Sequence, residues 1–189
     1  MVNPREVLQK GDGLLLVDIQ KDFCPGGALP IEEGDRIVPV LNGWIEEARE
    51  KGFPIYASRD WDPLHHMSFK EQGGPWPPHC IQDTEGAEFH PDLNLPDTAI
   101  KITKGVRFDQ DQNSVFDQTG LAVQLKRDRV GRLWVGGLAQ DVCVLASVLD
   151  GRKAGFQIYV IEQATRPVTV EAGRQALEEM KDAGAVIIE

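Results

Sequence analysis

Apolar residues along this chain fall into two alternating rhythms. Leu14 to Ile19 is a continuous apolar run, broken only by Asp18, that stops abruptly at Gln20-Lys21-Asp22. Unbroken runs of that length read as strands covered on both faces. Behind Asp35, a candidate N-cap, Ile37, Leu41, Trp44, Ile45 and Ala48 recur at helical spacing, and Gly52 closes the segment. Pro54 to Ser58 reads as the next strand. Strands are then expected over Ala99–Thr103, Leu133–Gly137, Phe156–Ile161 and Ala185–Ile188. Helices are expected near Thr119–Lys126, over Cys143–Lys153, and over Thr169–Ala183 with Gly184 as the stop.

This alternation, without repeats or a linker, predicts an α/β fold. We expect one domain over residues 1–189, three layers deep (α/β/α), around a central, mostly parallel sheet. The stretch from Arg59 to Thr98 breaks the rhythm, being rich in Pro, Gly, His and Trp, and is expected to be a long functional loop insert. In such folds ligands bind beyond the carboxyl ends of the strands. Asp18, Asp60, Lys104 and the turn before Cys143 all fall at or just past those ends.

Charge narrows the partners. The 20 basic and 30 acidic residues leave a formal charge of −10, which argues against nucleic acid and against a polybasic membrane anchor. The apolar runs are strand-sized, too short to span a bilayer. Met-Val-Asn-Pro-Arg-Glu lacks the build of a signal peptide, and three cysteines without a Cys-x-x-Cys fit reduced thiols. A cytoplasmic enzyme is therefore expected.

The candidate nucleophile is Cys143, in Val135-Gly136-Gly137-Leu138-Ala139-Gln140-Asp141-Val142-Cys143-Val144. A thiol opening a helix after a strand and a small-residue turn meets the positive end of the helix dipole, which favours the thiolate. The turn also leaves backbone N–H groups free to face an oxyanion. Alone, such a cysteine would be read as a small buried hydrophobe. Asp18, which alone could be a turn cap, and Lys104, which alone could be a solvated charge, occupy matching places and change that reading.

The order Asp18, Lys104, Cys143 resembles the isochorismatase-like cysteine hydrolases. Phe23-Cys24-Pro25-Gly26-Gly27 and above all Trp76-Pro77-Pro78-His79-Cys80 resemble their nicotinamidase branch, from about Gly13 to the C-terminus. The resemblance implies an amidohydrolase that turns nicotinamide into nicotinate and ammonia in NAD salvage. Cys143 would form a thioester, Asp18 would take and return the proton, and Lys104 would hold positive charge beside both. It also implies oxyanion donors at the N–H groups of Ala139 and Cys143, with a cis bond between Leu138 and Ala139.

A metal cluster is implied by the same resemblance, with Asp60, His66 and His79 as matches and Asp62 where a first histidine is expected. The cofactor would be one divalent ion, zinc ahead of iron or manganese. A carboxylate at Asp62 lowers the charge of the site by one and tilts it towards harder metals. His65 either substitutes or is exposed. Phe23 and Trp76 would enclose the ring of the small-molecule amide, while Asn113 stands where an aromatic is common. A homo-oligomer is compatible with this picture. Two alternatives stay open: a related cysteine amidohydrolase of another small amide or carbamoyl compound, favoured by Asp62 and Asn113, and a non-catalytic binding protein of the same fold.

Overall fold

The computed structural model describes residues 2–189. Six strands form one sheet: β1 (Asp12–Val17), β2 (Ile55–Asp60), β3 (Ile100–Lys104), β4 (Arg132–Leu138), β5 (Gln157–Arg166) and β6 (Val186–Ile188). Every pairing is parallel, in the order β3-β2-β1-β4-β5-β6. Because the chain leaves β1 in one direction and later returns to its other side at β4, a crevice opens beyond the carboxyl end of β1.

Side chains on β1 alternate between two cores. Leu14 and Leu16 pack with helices α1 (Pro4–Val7) and α2 (Ile37–Glu50), whereas Leu15 and Val17 pack with α3 (Leu121–Arg127), α4 (Leu145–Lys153) and α5 (Val170–Asp182). All six β1 residues are buried, which is why the strand reads as an unbroken apolar run. No helix among the described residues is long and apolar enough to cross a membrane.

Three local expectations need correction. Asp35 does not cap α2: it lies within a 3₁₀ turn (Gly34–Arg36), and no side chain caps the helix. Helix α4 begins at Leu145, so Cys143 sits in a π-helical turn (Gln140–Val144) ahead of it. Strand β5 continues to Arg166, past the polar Glu162-Gln163 that ends its apolar pattern. By contrast Thr169 caps α5, its hydroxyl accepting from Ala172 N at 3.2 Å.

The segment between β2 and β3 is folded back on the sheet. Its backbone is tied to β1's exit by His90 N donating to Ile19 O at 2.8 Å and Lys21 N to Glu88 O at 2.9 Å. Asp22 Oδ2 accepts from Cys80 N at 2.8 Å, which fixes the Trp-Pro-Pro-His-Cys run against the same exit. The insert is therefore a wall of the crevice, held to the exit of β1 by these hydrogen bonds.

The opposite end of the sheet is pinned by Asp12. Its Oδ1 lies 2.8 Å from Arg132 Nε, and its Oδ2 accepts from Trp134 Nε1 and Gln9 N, both at 2.9 Å. Asp12→Ala strands a largely buried guanidinium and an indole N–H, so we expect a loss of about 3 kcal/mol in urea unfolding. The crevice lies at the far end of β1, and the variant's reactivity at Cys143 is expected to stay at the wild-type level.

Candidate active site

Lys104 closes β3 and is fully buried beside two carboxylates. Its Nζ lies 2.8 Å from Asp18 Oδ2, 2.5 Å from Asp60 Oδ1 and 3.6 Å from Cys143 Sγ. The parallel register that pairs Asp60 with Lys104 places both at one level of the sheet. Asp18 follows β1 in a left-handed backbone conformation (φ 49°), which aspartate tolerates better than most side chains. Ser58 holds it there: Asp18 N donates to Ser58 O and Oγ, both at 3.2 Å, and Ser58 Oγ donates to Asp18 Oδ1 at 2.7 Å.

The protonation pattern follows from burial. Burial alone would lower the Lys104 pKa, but the Asp18 and Asp60 carboxylates outweigh it and raise the ammonium well above its ordinary value. Burial raises Asp18, against the pull of Lys104. Burial also raises the Cys143 thiol well above its usual range, with Lys104 opposing and Asp18 and Asp60 reinforcing. Burial thus favours the neutral thiol of Cys143, while the Lys104 ammonium favours its thiolate. Cys24 is pushed up to about 11 by burial and then by Asp35, and Cys80 higher still by burial and then by Asp60.

The second cluster shares Asp60 with the first. Asp60, Asp62 and His79 each bring a ligand-type atom within 4.8 Å of the others, all three buried. Burial and then Asp60 push Asp62 up to about 9. Two buried carboxylates and an imidazole so close together suit a cation, and the donor set fits a divalent metal. His66 stands next to Asp62, its Nδ1 3.8 Å from Asp62 Oδ1. Its Nε2 lies 2.9 Å from Gln110 O, an acceptor, so Nε2 carries the hydrogen and Nδ1 faces Ser68 Oγ at 2.7 Å. His65 is exposed.

Both clusters open on one pocket. It is lined by Phe23 and Trp76, by Asp60, Asp62 and His79, and by Ala139, Asn113 and Cys143. At its base the Leu138–Ala139 peptide is cis. The Ala139 carbonyl accepts from Val142 N and Val144 N, both at 3.1 Å, passing over the N–H of Cys143. Two glycines are required here. A β-carbon on Gly105 (φ 75°) would collide with the Asp62 carboxylate, and one on Gly137 (φ 143°) with the backbone of Val17.

The residues singled out in the sequence, Asp18, Lys104, Cys143, Asp60, Asp62, His79, Phe23, Trp76 and Ala139, all meet at this one place. Ser58 and Gln20 carry no such mark in the sequence. Gln20 accepts from Asp60 N at 2.8 Å and donates to Asp60 O at 2.7 Å, fixing the backbone of the shared carboxylate. Gln20 directly follows the apolar run of β1, and a buried amide at a strand exit was the available signal.

With this geometry in hand, comparison with known proteins is informative. The isochorismatase domain matches residues 12–189. The nicotinamidase of Escherichia coli (strain K12) is 37% identical over 92% of each chain. The pyrazinamidase of Pyrococcus horikoshii, solved in complex with zinc, superposes with a TM-score of 0.92 at 45% identity, covering 95% of this chain and 99% of that one. PnC1 from L. infantum, solved in complex with nicotinate, superposes with a TM-score of 0.87 at 37% identity, covering 94% and 92%. The six-stranded parallel sheet, the Asp18–Lys104–Cys143 grouping and these matches agree, and the chain belongs to the isochorismatase domain family.

Proposed function

We propose that the protein hydrolyses nicotinamide to nicotinate and ammonia through a thioester on Cys143, a reaction of NAD salvage. The observation that carries this reading is the convergence of Asp18, Lys104 and Cys143 from three strand ends at a pocket walled by Phe23 and Trp76. The nicotinamidase and pyrazinamidase names of the relatives support the same substrate class.

The thiol of Cys143 is protonated at rest, so attack needs a base. Asp18 takes the thiol proton as sulfur bonds to the carboxamide carbon, and the carbonyl electron pair moves to oxygen. That oxyanion is received by the N–H groups of Ala139 and Cys143, the donors the family resemblance implies, at the π-helical turn. Asp18 returns the proton to nitrogen, the C–N bond breaks, and ammonia leaves. Asp18 then takes a proton from water as its oxygen attacks the thioester carbon, and the acid is released with the thiol restored. Throughout, Lys104 holds a positive charge that favours the carboxylate of Asp18 and the transient thiolate.

Asp60, Asp62 and His79 would hold a divalent metal, with His66, whose Nδ1 is 3.8 Å from Asp62 Oδ1, as the fourth ligand that the family resemblance implies. When bound, such an ion supplies a Lewis acid for the pyridine nitrogen and so orients the ring. Zinc is the ion we assign first, as in the related pyrazinamidase. The two carboxylates make this a harder donor set, open to iron or manganese as well.

Ammonia release from nicotinamide by the purified protein is the direct test. Cys143→Ala is expected to abolish it, while Cys24→Ala and Cys80→Ala keep most of it. Equal turnover in the Cys143→Ala protein would remove the thioester from the mechanism. Lys104 is the group that pulls the Cys143 thiol downward, so Lys104→Met is expected to move alkylation of Cys143 by iodoacetamide to higher pH. An unmoved alkylation profile would leave Lys104 outside the chemistry. Elemental analysis of unchelated protein is expected to find a bound divalent ion, and a chelator to remove ion and activity together. Metal-free protein of full activity would contradict that assignment.

A further inference from the structure

Asn113 is a polar pocket residue beside the nucleophile that the reaction above leaves idle. Its Oδ1 lies 3.9 Å from Cys143 Sγ, and the side chain is half-buried in the pocket wall. Sulfur can donate and accept, and the atom of the Asn113 amide turned to it is the carbonyl oxygen, an acceptor.

The place of this acceptor is set by its neighbours. Gln112 Oε1 accepts from Gly105 N at 3.0 Å and Gln112 Nε2 donates to Asp117 O at 2.7 Å, which fastens the loop to the end of β3. On the other side Val115 N donates to Ser147 Oγ at 3.0 Å, and that hydroxyl donates to Cys143 O at 2.6 Å. Asn113 is thus tied both to the strand that carries Lys104 and to the turn that carries the nucleophile. Gln112, Ser114, Val115 and Ser147 are all buried, so these bonds are shielded from water.

Placement in the pocket then decides what Asn113 can meet. An attacking sulfur approaches the carbonyl carbon to about 3–3.5 Å before bonding. The amide nitrogen is about 1.3 Å beyond that carbon. An acceptor 3.9 Å from the sulfur, in the lining of the same pocket, faces the space that the carboxamide must enter to reach Cys143. We propose that Asn113 Oδ1 accepts a hydrogen bond from the carboxamide N–H of the substrate and so makes the pocket selective for primary amides. The proposal rests on Cys143 being the nucleophile for nicotinamide.

The same oxygen then has two successive donors. The S–H hydrogen can turn to this oxygen in the empty pocket or to Asp18 when substrate is bound. With it turned to Asp18, the oxygen is open to the substrate N–H, and it retains that contact while the proton from Asp18 arrives on nitrogen. A neutral acceptor suits a pocket already holding the carboxylates of Asp60, Asp62 and Asp111.

The test uses two ligands of nearly equal shape, nicotinamide and 3-acetylpyridine, which carries a methyl group in place of the amide NH2. Their dissociation constants are measured by calorimetry on the metal-loaded Cys143→Ala protein, with and without Asn113→Leu. Asn113→Ala serves as a second variant should the first fold poorly. We expect the preference for nicotinamide to fall about tenfold in both Asn113 variants, as loss of a shielded hydrogen bond implies, with 3-acetylpyridine binding little changed. A preference that stays constant, or an equal loss for both ligands, would overturn the role of Asn113 while leaving nicotinamide as substrate. Failure of nicotinamide to bind the Asn113-intact protein would overturn the substrate reading and this proposal together.

Discussion

A buried ammonium between two buried carboxylates is the constraint to which the rest of the site conforms. Lys104 has no exposure to solvent, nor has Asp18, and Asp60 is buried beside them. Ions removed from water are costly unless their partners are close and well oriented, and removal of one partner leaves an uncompensated charge. The group therefore demands that β1, β2 and β3 end at one level. A slip of one residue between β2 and β3 would turn Lys104 to the opposite face and separate it from Asp18. Electrostatics in this way enforces the register that the apolar residues of the three strands also favour.

Asp60 links the two halves of the site. One of its oxygens contacts Lys104, and the residue also belongs to the grouping with Asp62 and His79. Gln20 grips its backbone from both sides, so the shared carboxylate cannot shift to serve one cluster at the expense of the other. Burial raises both Cys143 and Asp18, and Lys104 opposes it at each. A proton moving between sulfur and carboxylate keeps the total charge constant, which is what a water-excluded site tolerates.

Much of this architecture is legible in the order of the residues. The apolar runs of β1 and β4 and the helical spacing of α2 and α5 announce themselves because each element is buried in its own period. Asp18, Lys104 and Cys143 can be grouped because each follows a recognisable strand, and parallel sheets gather strand ends. Less visible are features whose cause is not local. The π-helical turn at Gln140–Val144 reads as ordinary helix in sequence, and Asp35 has the composition of a cap but lies in a turn that needs none. The end of β5 is hidden because Glu162 and Gln163 are polar residues in a strand whose partner, not its own pattern, extends it.

By itself the sequence determined the α/β alternation, the three layers and the residues able to do acid–base and nucleophilic chemistry, since these follow from periodicity and side-chain type. Only the tertiary structure decided which of those residues share a site and in what charge state. It used Ser58 and Gln20 to hold the carboxylates and brought Asn113 to Cys143 across 30 residues of chain. The reason is physical. Periodicity is a property of neighbours along the chain, whereas desolvation, ion pairing and hydrogen-bond reach depend on distances that exist only after the chain has folded.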